Sequence, residues 1–82
     1  GHGVGYELRE EPQVPNFGKA GSGMELKAGL VIAIEPMVSL GGHEIVTADD
    51  GWTIKMADNS LSAHFEHSIA ITTDGPVILT AL

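Results

Sequence analysis

LKAGLVIAIEPMV (residues 26–38) decides the fold class. Four apolar residues in succession, Val31 to Ile34, are mostly branched at Cβ, a shape that crowds a helical turn but packs well on a pleated surface. The run is short, Gly29 precedes it and Pro36 stops it, so it reads as a buried strand. Alternation along that strand carries Glu35 to the face of Val31 and Ala33. A carboxylate placed there loses water and calls for a cation, a metal or several donors; the plain alternative is a strand-end glutamate that turns out to solvent.

Working outward, EIVT (44–47) and ADDGWTIK (48–55) flank a turn at Asp50-Gly51 and read as a hairpin. SAHFEHSIAITTDGPVILT (62–80) reads as two strands joined at Asp74-Gly75, with Ser68 to Thr72 and Val77 to Thr80 as the β-rich parts. Alternation sets His64, Glu66 and Ser68 on one face and Phe65, His67 and Ile69 on the other. That polar face is either ordinarily solvated or presents a ligand carboxylate inward. Upstream, VPNFGKAGSG (14–23) is loop, and VGYEL (4–8) is an extended segment ending near Pro12. No window of about 11 residues holds a 3.6-residue apolar period. The expected fold is therefore mainly β, an antiparallel sheet with little or no helix.

The chain has 82 residues, one domain at most, and no cysteine. A domain of this size buries only about 60% of its unfolded surface. Without disulfides or thiolate sites, the staples left to it are a histidine/carboxylate metal site or association with another chain. Eleven acidic residues against four basic ones give a net charge of −7, and Arg9, Lys19, Lys27 and Lys55 are scattered. Such a surface repels phosphate backbones, which argues against nucleic-acid binding. No apolar run approaches the roughly 20 residues of a membrane helix and no signal pattern opens the chain, so a soluble protein without a membrane partner is expected. The chain starts without methionine inside a motif-like stretch, which leads to the expectation of a fragment or a processed piece.

His2 lies between Gly1 and Gly3, where the missing side chains leave room for a ligand or another backbone. A lone histidine near a terminus is usually just exposed. Together with Glu35 and Glu66, on three strands, it is nonetheless a reasonable ligand set for Mn, Fe, Co or Zn. The spacings, 33 and 31 residues, carry no motif information by themselves.

GHGVGYELREEPQV (1–14), LKAGLVIAIEPMV (26–38), DGWTIKMADNSLSAHFEHSIAIT (50–72) and PVILTAL (76–82) closely resemble, in this order, the C-terminal part of the type I methionine aminopeptidases, which are pita-bread metallopeptidases. IEPMV, DGW and EHS point to that family rather than to its proline-specific relatives. The resemblance implies that residues 1–82 form the C-terminal half of the catalytic domain, the curved antiparallel sheet of an α+β pita-bread fold. It implies a cytoplasmic enzyme that removes methionine from the N-termini of peptides and nascent proteins, with two divalent ions (Co, Mn, Fe or Zn) in the complete site. Residue by residue, His2, Glu35 and Glu66 match metal ligands, Glu66 bridging the two ions and Glu35 also shuttling the proton. Trp52, Met37, Leu8 and His64 match substrate-binding positions. Arg9 stands at a catalytic position.

Two departures qualify that match. The family's centre takes two further aspartates from an earlier stretch that these residues do not include, and the two glutamates supply too little charge for two divalent ions. In addition, Arg9 replaces a histidine that contacts the substrate; arginine stabilises negative charge but does not titrate near neutrality. His64 likewise replaces the usual glutamine. The leading expectation is an aminopeptidase part completed by an N-terminal half. The alternative is a homodimeric half-pita-bread module, metal-binding or structural, without peptidase activity; a third is a structural β fragment with vestigial ligands. One geometric expectation follows. His2 and Arg9 are seven residues apart, so a regular strand aims them at opposite faces, and a bulge near Gly5 is needed for both to reach one site.

Overall fold

In the computed structural model, which describes all 82 residues, nine short strands follow one another and no helix forms. In chain order they are β1 (His2–Gly3), β2 (Glu10–Gln13), β3 (Val31–Ile34), β4 (Met37–Ser39), β5 (Ile45–Thr47), β6 (Ile54–Met56), β7 (Ser62–His64), β8 (His67–Thr72) and β9 (Gly75–Ile78). The apolar run forms β3 as expected, the middle strand of a five-stranded sheet ordered β2-β1-β3-β8-β9. All of its pairings are antiparallel. Ile32 and Ala33, each 1% exposed, are the buried hydrophobic residues, and both lie on β3, the middle of the five strands. The absence of helix also agrees with the missing helical period.

The pairs β4–β7 and β5–β6 form two further ladders. The three pairings β3–β8, β4–β7 and β5–β6 share one register. Ile34 faces His67, Met37 faces His64, Ser39 faces Ser62, Ile45 faces Met56 and Thr47 faces Ile54. Residues 31–70 thus form a single long hairpin whose tip is the expected turn at Asp50-Gly51. Bonds between the ladders keep that register, from Phe65 N to Pro36 O (3.1 Å), Leu40 N to Leu61 O (3.0 Å) and Ala57 N to Glu44 O (2.9 Å). The first interruption falls at Glu35-Pro36, since proline has no N–H to give the ladder. Continuing the register across it sets Glu35 opposite Glu66.

The second interruption is clamped by Asp58, which accepts from Gly42 N–H (2.8 Å) and Ser60 N–H (3.0 Å). Those bonds, the one from Gly42 foremost, hold its carboxyl down at about 2. At the tip, Asp50 accepts from Trp52 N–H and from both donors of Thr53, and the Thr53 hydroxyl is the main reason its carboxyl lies below the usual range.

Four sequence expectations need correction. VGYEL is not extended: after Val4 N–H bonds Val31 O, residues 5–9 bend tightly, Gly5 N–H reaching Glu7 O at 3.3 Å. A Cβ at Gly5 would meet the end of the Glu10 side chain, which would have to swing aside. SAHFEH does not continue into the following strand; β7 pairs with β4, and the chain passes into the main sheet only at His67. The irregularity between His2 and Arg9 exists, but the register shifts at His2/Gly3 rather than near Gly5. The hairpin expected at Asp74-Gly75 turns one residue earlier, at Thr73-Asp74, since Thr72 pairs with Gly75, and its second strand, expected over Val77 to Thr80, is β9, two residues earlier; VPNFGKAGSG is loop as expected. No helix is long and apolar enough to cross a membrane.

Candidate metal centre

Strand β1, the end of β3 and the start of β8 bring three ligand groups to one place, Glu35 lying just after β3 and Glu66 just before β8. β1 pairs with β3 so that His2 faces Ala33, two residues from Glu35, while the hairpin register brings Glu66 across from Glu35. One ligand atom each from His2, Glu35 and Glu66 lie within 4.8 Å of one another. His2 Nε2 stands 2.8 Å from Glu35 Oε1 and 4.0 Å from Glu66 Oε1. Two donors on a common ion with bonds near 2.1 Å sit about 3.0–3.4 Å apart, so the cluster needs only small adjustments to close around one.

The ring of His2 is set by its other nitrogen. Nδ1–H donates to Gly3 O at 3.0 Å, leaving Nε2 as the atom offered to the carboxylates. The glycines on either side have a steric reason. A Cβ at Gly1 would strike Ala33 O, and one at Gly3 would strike Glu11 O, both rigid backbone. The room expected around His2 is thus taken up by neighbouring strands rather than left to a ligand.

Glu35 is secured from two further directions. Asn16, in the loop after β2, donates its Nδ2–H to Glu35 O at 3.0 Å, and His64 Nε2 lies 3.2 Å from Glu35 Oε2. His64 reaches it because Met37↔His64 is the first pair of the β4–β7 ladder. Sequence reading passed over Asn16; nothing in a loop rich in turn residues marks one amide as a fastener.

Two carboxylates facing each other across a strand pair repel and are unfavourable without a counter-charge. A histidine nitrogen and carboxylate oxygens without thiolate suit one divalent cation of the Mn, Fe, Co or Zn group, and two negative charges match one such ion. The other sequence-predicted residues are not joined to this cluster by hydrogen bond or ion pair. Arg9 lies exposed in the bend, Leu8 is 83% exposed beside it, and Trp52 is 86% exposed at the hairpin tip. Met37 is 72% exposed and neighbours the cluster through its pairing with His64. The largest surface groove runs under the loop after β2, lined by Val14, Phe17, Met24 and Leu26, and none of the cluster residues lines it.

The sequence and the backbone have counterparts among known proteins. The chain is 54% identical over 82 residues to the methionine aminopeptidase of Clostridium perfringens, covering all of this chain and 33% of that protein. It is 56% identical over 86 aligned positions to that of Aquifex aeolicus, with the same coverage. The crystal structure of methionine aminopeptidase from Thermotoga maritima superposes with a TM-score of 0.91 at 53% identity, over 99% of this chain and 32% of that one. That from Rickettsia prowazekii gives 0.90 at 41% identity, over 98% and 33%. The chain therefore spans about a third of the length of the curated relatives it matches. Residues 1–73 match the sequence profile of metallopeptidase family M24. With this match over most of its length, and with likenesses in sequence and in backbone that agree, the chain belongs to metallopeptidase family M24.

Proposed function

We propose that residues 1–82 are the C-terminal half of a pita-bread catalytic domain and carry the histidine and both glutamates of a methionine aminopeptidase centre. The observation that carries this reading is the enforced meeting of Glu35 and Glu66 across the hairpin, with His2 brought in from β1. His2, Glu35 and Glu66 would hold a divalent ion, which when bound supplies Lewis acidity toward a peptide carbonyl and a nucleophilic water near neutral pH. In this reading Glu35 would also be the residue that holds and returns a proton at the site. Glu66 would also help to hold a second ion, together with two aspartates that a complementing segment would supply. The peptide's N-terminal methionine would lie toward Met37, His64, Leu8 and Trp52, with Arg9 stabilising negative charge on the substrate. The names of the relatives support methionine at the substrate N-terminus.

The test mixes this chain with the separately produced N-terminal two-thirds of the Thermotoga maritima enzyme and Mn²⁺ or Co²⁺. Methionine release from a Met-Ala-Ser peptide is expected only from the mixture, and loss of it on Glu35→Ala or Glu66→Ala. A mixture that binds metal and forms a complex yet releases no methionine overturns the peptidase reading.

A second reading, the homodimeric module without peptidase activity, is favoured by the large apolar surface that includes Val38, Leu40, Leu61 and Phe65, all more than half exposed. Sedimentation that finds only monomer at high micromolar concentration, with and without metal, rejects it.

A further inference from the structure

We propose that His64 is a positioning residue for Glu35, holding the Glu35 carboxylate so that a single oxygen is presented to the ion. This rests on the reading of His2, Glu35 and Glu66 as a metal site. The two oxygens of Glu35 have different partners: Oε1 lies 2.8 Å from His2 Nε2, and Oε2 lies 3.2 Å from His64 Nε2. His64 is not among the residues whose ligand atoms converge within 4.8 Å, so it sits behind the carboxylate and outside the cluster. A carboxylate free at both oxygens swings or chelates through both. A ring N–H on Oε2 removes the second choice and leaves Oε1 turned toward His2 and Glu66.

The placement is built into the fold. His64 is fixed opposite Met37 by the β4–β7 ladder, and Phe65 N–H bonds Pro36 O at 3.1 Å just beyond it. A slip of one residue would turn the ring to the other face, so the register that brings Glu66 opposite Glu35 also delivers the N–H. The Glu35 side chain is only 20% exposed, so few waters are at hand to replace that donor.

Mn²⁺ titration of the protein, read from the electron paramagnetic resonance of the free ion, tests the proposal together with the visible absorption of the Co²⁺-loaded form. His64→Leu removes the donor, and His64→Gln restores an N–H of similar reach. Circular dichroism controls for folding. His64→Leu is expected to weaken Mn²⁺ binding by about 10- to 100-fold and to lower the Co²⁺ band intensity as Glu35 turns to two-oxygen coordination. His64→Gln is expected to retain both properties. Should His64→Leu fail to fold, His64→Met, matched in length to glutamine but lacking the N–H, carries the same comparison. Unchanged affinity and spectrum without the donor overturn the proposal, and so does equal weakening with and without it. An unaltered protein that binds no Mn²⁺ overturns the metal reading, and this inference with it.

Discussion

At the scale of single residues, the centre is a conflict held in place by backbone. Glu35 and Glu66 face each other in adjacent arms, and such a like-charge pair costs about 0.2–1 kcal/mol. Glu66→Gln relieves it, so the metal-free protein is expected to melt a few degrees higher while losing Mn²⁺ affinity. Thermal circular dichroism with and without Mn²⁺ measures both halves of that trade, and a lower midpoint in the metal-free variant contradicts it. In the unaltered protein, Mn²⁺ at 100 times its dissociation constant should add about 2.7 kcal/mol of stability, removable with EDTA. The oddity of Glu35 was legible from the apolar run before it, and His64 and Glu66 on one face from simple alternation. That His64 takes the far oxygen of Glu35 was not legible, because it depends on a cross-strand partner 29 residues away.

Among the elements, β3 bears the largest consequence. Ile32 is its fully buried side chain, and Ile32→Ala should cost about 2–5 kcal/mol. Against the 5–15 kcal/mol of a typical domain, that is a large share of the total, and markedly faster hydrogen exchange of the β3 and β8 amides is the expected outcome. The clamp at Asp58 gives a pH signature of opposite reach. Its carboxyl lies at about 2 against an ordinary 3.8, so its contribution is present above the ordinary value and is lost as pH falls through the folded one. Loosening of the Gly42 and Ser60 amides between those two values, seen by NMR, is the expected outcome; Asp58→Asn should remove that titration. β3 and the hairpin at Asp50-Gly51 could be read directly because β-branched runs and Asp-Gly turns are local signals. β1 could not, since two residues become a strand only through partners supplied by β2 and β3. The break after His64 was equally hidden, its cause being Pro36 on the opposite arm.

Taken as a whole molecule, the chain is open. Its radius of gyration is 15.1 Å, where a compact domain of this length has about 12 Å. Its accessible surface is 6842 Å², roughly 2,100 Å² more than the about 4,700 Å² of a compact protein of 8.6 kDa. That excess is the size of a permanent protein interface. Strong binding of an apolar dye by the chain alone, and its loss when the N-terminal segment of a relative is added, are expected; a chain that binds no dye would show the surface to be less accessible than the structure has it. The thin core was legible from length and the missing cysteines, but the amount of uncovered surface depends on tertiary packing. The single register of residues 31–70 has a further consequence, for grafting. Chain length may change at Asp50-Gly51 without disturbing Glu35 and Glu66, because both arms grow together from the tip. One residue added to a single arm, between Met37 and Val38, would set Met37 and everything before it out of step with His64 and the residues after it, and turn one carboxylate away. A foreign loop spliced at the tip should therefore leave metal binding whole, whereas a lone alanine beside the centre should erase it.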